Sequence, residues 1–143
     1  MNFEKTYSTD QGRPYLKISY QEADDYLAVE WLGYISAQFV MEGSNAIIEA
    51  AKVCGTAQFL SDKTTVQGTY KKTNQWLEED WFPRAIAAGL RFGASLLSEN
   101  IFSQMSSKDL EERVQGGGMI YKNFANKEDA VNWLKDKKMK VSL

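Results

Sequence analysis

The apolar residues of this chain change period several times, and those changes leave few folds open. In Arg13–Tyr20 the residues alternate, with Leu16, Ile18 and Tyr20 on one side; in Tyr26–Leu32 they alternate again, with Leu27, Val29 and Trp31 together. A period of two is that of a half-buried strand, and the polar stretch Gln21–Asp25 between the runs makes them an antiparallel hairpin. From Ser36 the period lengthens to that of a helix. Val40, Gly43, Ile47, Ala50, Ala51 and Cys54 fall on one stripe, Ser36 stands at the N-cap, and Ile35 and Val40 hold the hydrophobic-staple positions. Gly55 ends the helix.

Three strand–helix units follow. Ala57–Leu60 reads as a short strand ending at Ser61-Asp62, with Lys63–Lys72 as a loop. Thr73 is the expected cap of the next helix, and Leu77, Trp81, Ala85 and Ala88 form its apolar stripe before Gly89 stops it. Pro83 lies inside that stripe. An internal proline removes one backbone bond and collides with the carbonyl four residues back, so a kink near Phe82, or two short helices meeting there, is expected. Leu90–Leu97 is apolar on both sides, as in a strand covered on both faces. Ile101–Met105 reads as a half-turn and Ser106 with Asp109 as the cap of a helix over Lys108–Gln115, ended by Gly116–Gly118; Met119–Phe124 is a strand, and Asn126 caps a final helix whose Ala130, Trp133, Leu134 and Lys137 share a face.

This order implies an α/β fold: a mixed, mainly parallel sheet of four or five strands with an N-terminal antiparallel hairpin, the first strand at its edge, and right-handed βα units. At 143 residues the chain suits one domain over 1–143, with 1–12 irregular.

Several chemistries are excluded. The chain has no histidine, which removes Ser-His-Asp and Cys-His catalysis and histidine-ligated zinc. One cysteine, Cys54, allows no internal disulfide and reads as a buried structural thiol. Seventeen Lys and Arg against 19 Asp and Glu leave no positive excess for nucleic acid. No apolar run approaches the length of a membrane span, and Met1–Asp10 lacks the core of a signal peptide, so a cytoplasmic protein is expected. Gly116–Gly118 lacks the context of a nucleotide loop. No metal or cofactor site is read.

Two segments carry a resemblance: Trp76–Gly89, with Trp81-Phe82-Pro83-Arg84-Ala85, and Phe124-Ala125-Asn126-Lys127-Glu128-Asp129-Ala130-Val131-Asn132-Trp133-Leu134. With the order of elements from about Tyr15, they resemble the STAS or SpoIIAA-like fold, and within it the small stand-alone STAS/SEC14-like bacterial proteins of unassigned function. The resemblance implies a regulatory, protein-binding role. Phosphorylated antagonists of that fold carry an Asp-Ser-x-Gly-like turn after a parallel strand. The matching place here is Ser61-Asp62-Lys63-Thr64-Thr65, where no glycine follows closely, so no phosphosite is carried over.

Three functions are weighed. The first is a non-enzymatic regulatory or protein-interaction module, with a protein partner docking on a loop of Ser61, Asp62, Thr64 and Thr65 at the carboxyl ends of the strands; a homodimer stays open as an assembly. The second is a carrier of a small hydrophobic ligand or lipid. For Trp76, Trp81, Phe82 and Arg84 two readings stand side by side, a core plug and a partly exposed aromatic surface. The third is carboxylate catalysis by Asp62 with Glu99, which lacks a nucleophile, base and orienter in any motif; no enzyme is expected.

Overall fold

The computed structural model describes residues 2–142. Three strands come first: β1 (Glu4–Ser8), β2 (Pro14–Gln21) and β3 (Tyr26–Gly33). Helix α1 (Ala37–Cys54) and strand β4 (Gln58–Val66) follow. A 3₁₀ turn at Lys71–Thr73 then leads into α2 (Asn74–Trp76), a π-helical turn over Leu77–Trp81, and α3 (Phe82–Ala87). Strand β5 (Phe92–Leu96), helix α4 (Ile101–Arg113), strand β6 (Ile120–Phe124) and helix α5 (Lys127–Ser142) complete the order.

The sheet has six strands in sequential order, β1 to β6. The first two pairings are antiparallel and the last three parallel. The count exceeds four or five because residues 4–8, expected to be irregular, form the edge strand β1. That strand is five residues of mostly exposed side chain, so no apolar alternation marks it; its backbone is claimed by β2 instead.

Sequential parallel strands all cross over in one direction. A right-handed connection then puts every crossover helix on the same face. That face holds α1, the α2–α3 segment and α4, over Leu16, Ile18, Leu27, Val29, Phe59 and Tyr121. The other face is covered by α5 alone, whose buried Ala130 and Leu134 meet Leu60, Ala94 and Leu96. Trp133, expected to be that helix's anchor, is only half-buried and leans on Phe92 and Phe124 at ring distances of 6.3 and 5.5 Å.

The local signals act as their chemistry requires at most ends. Ser36 Oγ accepts from the Phe39 N–H, Gly55 caps α1 at φ 67°, and Asn126 Oδ1 accepts from the Asp129 N–H. The kink at Pro83 takes the form of a π-turn just before it. The ring sits in the first turn of α3, where its missing N–H costs least. Thr73 does not cap: its hydroxyl donates to the Tyr70 carbonyl at 2.7 Å. Nor does Ser106 start a helix. Asn100 caps α4 six residues earlier than expected, accepting from the Phe102 and Ser103 N–H groups, and Ser106 lies buried mid-helix. Cys54 is half-buried rather than buried, and that burial pushes its thiol pKa up.

The β2–β3 turn is locked at Asp25, whose backbone is left-handed at φ 52°. Its carbonyl accepts from Thr56 Oγ1 and Gln58 Nε2, both at 3.0 Å, and its carboxylate from the Tyr20 phenol at 2.7 Å. That bond to Asp25, with burial, pushes the Tyr20 pKa up to about 12. The fold therefore holds the Tyr20 proton more tightly than the unfolded chain does. The stabilisation is complete below pH about 10 and lost as pH rises through about 12. Tyr20→Phe is expected to flatten the fall of unfolding free energy between those pH values in urea titrations.

Gly93 faces two rings. A Cβ there would lie 2.6 Å from Phe59 Cζ and 3.0 Å from Tyr121 Cδ1. Phe59 is itself held edge-on by Trp81. Gly93→Ala is expected to cost about 1–3 kcal/mol in denaturant melts, the range for overpacking a core. A loss below about 0.5 kcal/mol would mean the rings yield.

Candidate functional site

β4 continues to Val66, so Ser61–Thr65 is strand rather than loop. Both β3 and β5 pair with it as far as Asp62, and β3 alone, after a register shift, holds Thr65 and Val66, which extends the strand past the polar residues that suggested a turn. The alternation of the strand then separates the residues expected to act together. Phe59, Ser61 and Lys63 point to the three-helix face. Asp62 and Thr64 point to the other, where Asp62 Oδ1 accepts from the Thr64 backbone and hydroxyl at 3.0 and 2.7 Å. Thr65 is exposed and its hydroxyl donates to the Trp31 carbonyl at 3.2 Å.

Lys63 is the unexpected member. Its side chain is 7% exposed. Its ammonium donates to the Tyr121 phenol oxygen at 2.8 Å and to that of Tyr70 at 3.1 Å, and it has no carboxylate partner. Tyr121 arrives on β6, two strands away, and Tyr70 from the segment before α2. Burial opposes the ammonium, but the Tyr121 and Tyr70 oxygens that accept from it more than offset that loss and hold the Lys63 pKa above the ordinary lysine range. Burial also pushes the Tyr70 phenol up. The site thus carries one positive charge inside the core.

Around this cation is a cavity of about 60 Å³. Its walls are Trp31, Val40, Ile47, Phe59, Leu77, Trp81, Phe82 and Leu110, with Ser44 and Ser61 as further polar groups, and it reaches the surface beside Gln67 and Thr69. The aromatic wall is fixed edge to face. Trp81 meets Phe59 at 5.9 Å and Phe82 at 5.0 Å, and Phe82 meets Tyr121 at 5.5 Å. The Trp81 indole N–H donates to the Ser44 carbonyl at 2.6 Å, which sets the ring. A roomier crevice of about 210 Å³ lies outside, behind Phe82 and Pro83, but its charged groups Glu78 and Arg113 pair with each other at 3.2 Å.

The helix behind Tyr70 is unusual. α4 turns Ser103, Ser106, Ser107 and Leu110 inward, a helical stripe with hydroxyls in three of its four places. Ser107 Oγ bonds the Tyr70 phenol, Ser106 Oγ accepts from the Tyr70 N–H at 3.1 Å, and the Ser106 carbonyl accepts from the fully buried Asn74 at 2.8 Å. Asn123 of β6 donates to the Ser107 carbonyl at 2.9 Å. On the outer side of the same helix Ile101, Phe102 and Met105 are 54–60% exposed.

No known family and no curated protein matches the sequence. Among solved structures the chain is similar to an uncharacterized protein of the DUF3478 family from Shewanella loihica PV-4, described as having a SpoIIAA-like fold. The identity is 17%, the TM-score 0.52, and the match covers 94% of this chain and 97% of that one. The fold is SpoIIAA-like.

Within this SpoIIAA-like sheet the aromatic group expected from sequence divides. Trp81 and Phe82 are buried in the cavity wall. Trp76 is half-buried outside it, with Arg84 over its ring at 5.8 Å; Arg84 itself is exposed and tied to Asp80 and Asn45, each at 2.8 Å. Of the four β4 residues only Ser61 lines the cavity. Lys63, Tyr70 and Tyr121 escaped sequence reading. The signal was present for one of them: once the strand expected over Ala57–Leu60 is continued by three residues, the alternation Phe59, Ser61, Lys63 runs a charge into the core. Among the described residues no helix is long and apolar enough to cross a membrane.

A buried cation held by neutral oxygens is poor support for a fold. Lys63→Met is expected to leave unfolding free energy unchanged or raise it by about 1–2 kcal/mol. Tyr121→Phe, which strips one acceptor and leaves the charge, is expected to lower it by about 1–3 kcal/mol. Urea melts at pH 7 check both. A large loss for Lys63→Met would make the lysine structural.

Proposed function

We propose that this domain is a non-enzymatic binding module, and that what it binds is a small, mainly apolar molecule held in the cavity between β4, α1 and the Trp81–Phe82 segment. The observation that carries this reading is the cavity itself: apolar walls fixed by edge-to-face rings, with a few convergent polar groups, the usual make-up of a ligand site. A regulatory role for such a module needs a surface that reports occupancy. α4 supplies one, since its Leu110 lines the cavity, its Ser106 and Ser107 hold the Tyr70 that also lines it, and its Ile101, Phe102 and Met105 face is bare.

That bare face, at the carboxyl ends of the parallel strands, also supports a second reading, docking of a protein partner. In that reading the partner meets the α4 ridge rather than the side chains of Ser61, Asp62, Thr64 and Thr65.

The first reading is tested by titrating the ¹⁵N-labelled protein with n-butanol. Saturable shifts are expected at Ile47, Leu77 and Trp81, including the Trp81 indole N–H. If shifts grow linearly without saturating, or fall elsewhere, the cavity is not a ligand site.

A further inference from the structure

The cavity holds two hydrogen-bond donors that no group among the described residues accepts. An ammonium has three N–H donors. Those of Lys63 go to Tyr121 and Tyr70, which leaves one without an acceptor among the described residues. The Tyr121 oxygen receives the lysine proton and its own O–H has no acceptor among the described residues. The two donor atoms are 2.8 Å apart, both side chains are over 90% buried, and both line the cavity. A charge so placed is costly unless an anion meets it.

We infer that Lys63 and Tyr121 form a receptor for the carboxylate of a short-chain aliphatic acid, one oxygen on the Lys63 ammonium and the other on the Tyr121 hydroxyl. The inference rests on the cavity's being a ligand site and names the chemical class that fills it. Charge selects a monoanion. One buried cation neutralises one negative charge, and a phosphate or sulfate dianion would leave a net charge in an apolar chamber. The walls select an acid with a hydrocarbon tail, since Ile47, Leu77 and Trp81 offer such a group contact and no hydrogen bond. Size limits the tail. At about 10–15 Å³ for each water-sized site, 60 Å³ holds about four to six such atoms. Butyrate has that size.

Sodium butyrate, n-butanol and n-butylamine are the probes, followed by ¹⁵N spectra at pH 7 and constant ionic strength, on the whole chain. Wild type is expected to bind butyrate at least tenfold more tightly than n-butanol and to show no saturable shift with n-butylamine. Lys63→Met is expected to lose butyrate binding and to keep n-butanol. Tyr121→Phe is expected to weaken butyrate several-fold without affecting n-butanol. Should wild type bind n-butanol and butyrate equally well, or Lys63→Met keep its butyrate affinity, the carboxylate receptor is overturned while the cavity remains a ligand site. If butyrate moves only surface lysine resonances, the receptor is likewise overturned. If neither butyrate nor n-butanol saturates at cavity residues, the cavity reading itself fails. Thermal melts of both variants separate lost binding from lost folding.

Discussion

β4 runs through the middle of the sheet, and each layer of the protein is fixed by one of its two faces. On one side Leu60 anchors α5 through Ala130 and Leu134. On the other Phe59 carries the ring cluster under α1 and α3, and two alternations later Lys63 carries the polar cluster under α4. The strand is therefore apolar at its start and polar at its end along a single face. That gradient explains why α1 and the Trp81–Phe82 segment sit on hydrocarbon while α4 sits on hydroxyl and amide groups. Hydrogen bonds of this kind contribute about 0.5–1.5 kcal/mol each after water is exchanged, and they demand geometry where hydrocarbon demands only proximity. α4 is thus placed accurately and held weakly.

What the sequence made legible follows the same division. Wherever side chains bury by hydrophobic period the reading succeeds: Leu16 and Ile18 with Leu27 and Val29, the α1 stripe from Val40 to Ala51, and β5 between two covered faces. Caps with a direct local partner, Ser36, Gly55 and Asn126, are also legible, because their chemistry is completed within a few residues. The failures occur where a distant group decides. β1 has no apolar alternation and exists because β2 offers it an edge. Lys63 and Thr64 look like loop residues until β3, which pairs with Asp62 before them and Thr65 after them, carries the strand through. Ser106 looks like a cap because serine usually is one; here Tyr70 and Thr69, more than thirty residues away in sequence, hold its hydroxyl inside. The candidate site belongs to this second class almost entirely, since Lys63, Tyr70 and Tyr121 come from three segments brought together only by the finished sheet.

Pro83 illustrates how a local defect is absorbed. The proline withdraws one backbone donor, and the wider π-turn over Leu77–Trp81 takes up the mismatch. The wider turn brings Trp81 and the neighbouring Phe82, both buried, onto the cavity side together, where an unbroken helix would rotate successive residues about 100° apart. The edge-on ring pair sits where the π-turn passes into α3, so the break that looked like an obstacle to a helix lies in the cavity wall.

The sequential strand order has a consequence for synthesis. Each strand pairs with the one made just before it, so no pairing waits for a distant partner and the loops to be closed are short compared with those of a reshuffled sheet. The three-helix face is filled as the chain lengthens, because each crossover helix precedes the strand that follows it. The opposite face is different. Leu60, Ala94 and Leu96 are laid down early, and their cover, α5, comes only with residues 127–142. A ribosome-bound chain that has completed β5 therefore presents an apolar strip to solvent or to a chaperone until α5 emerges. The interval between those two events is the period in which this otherwise locally assembled protein is most exposed to misassociation.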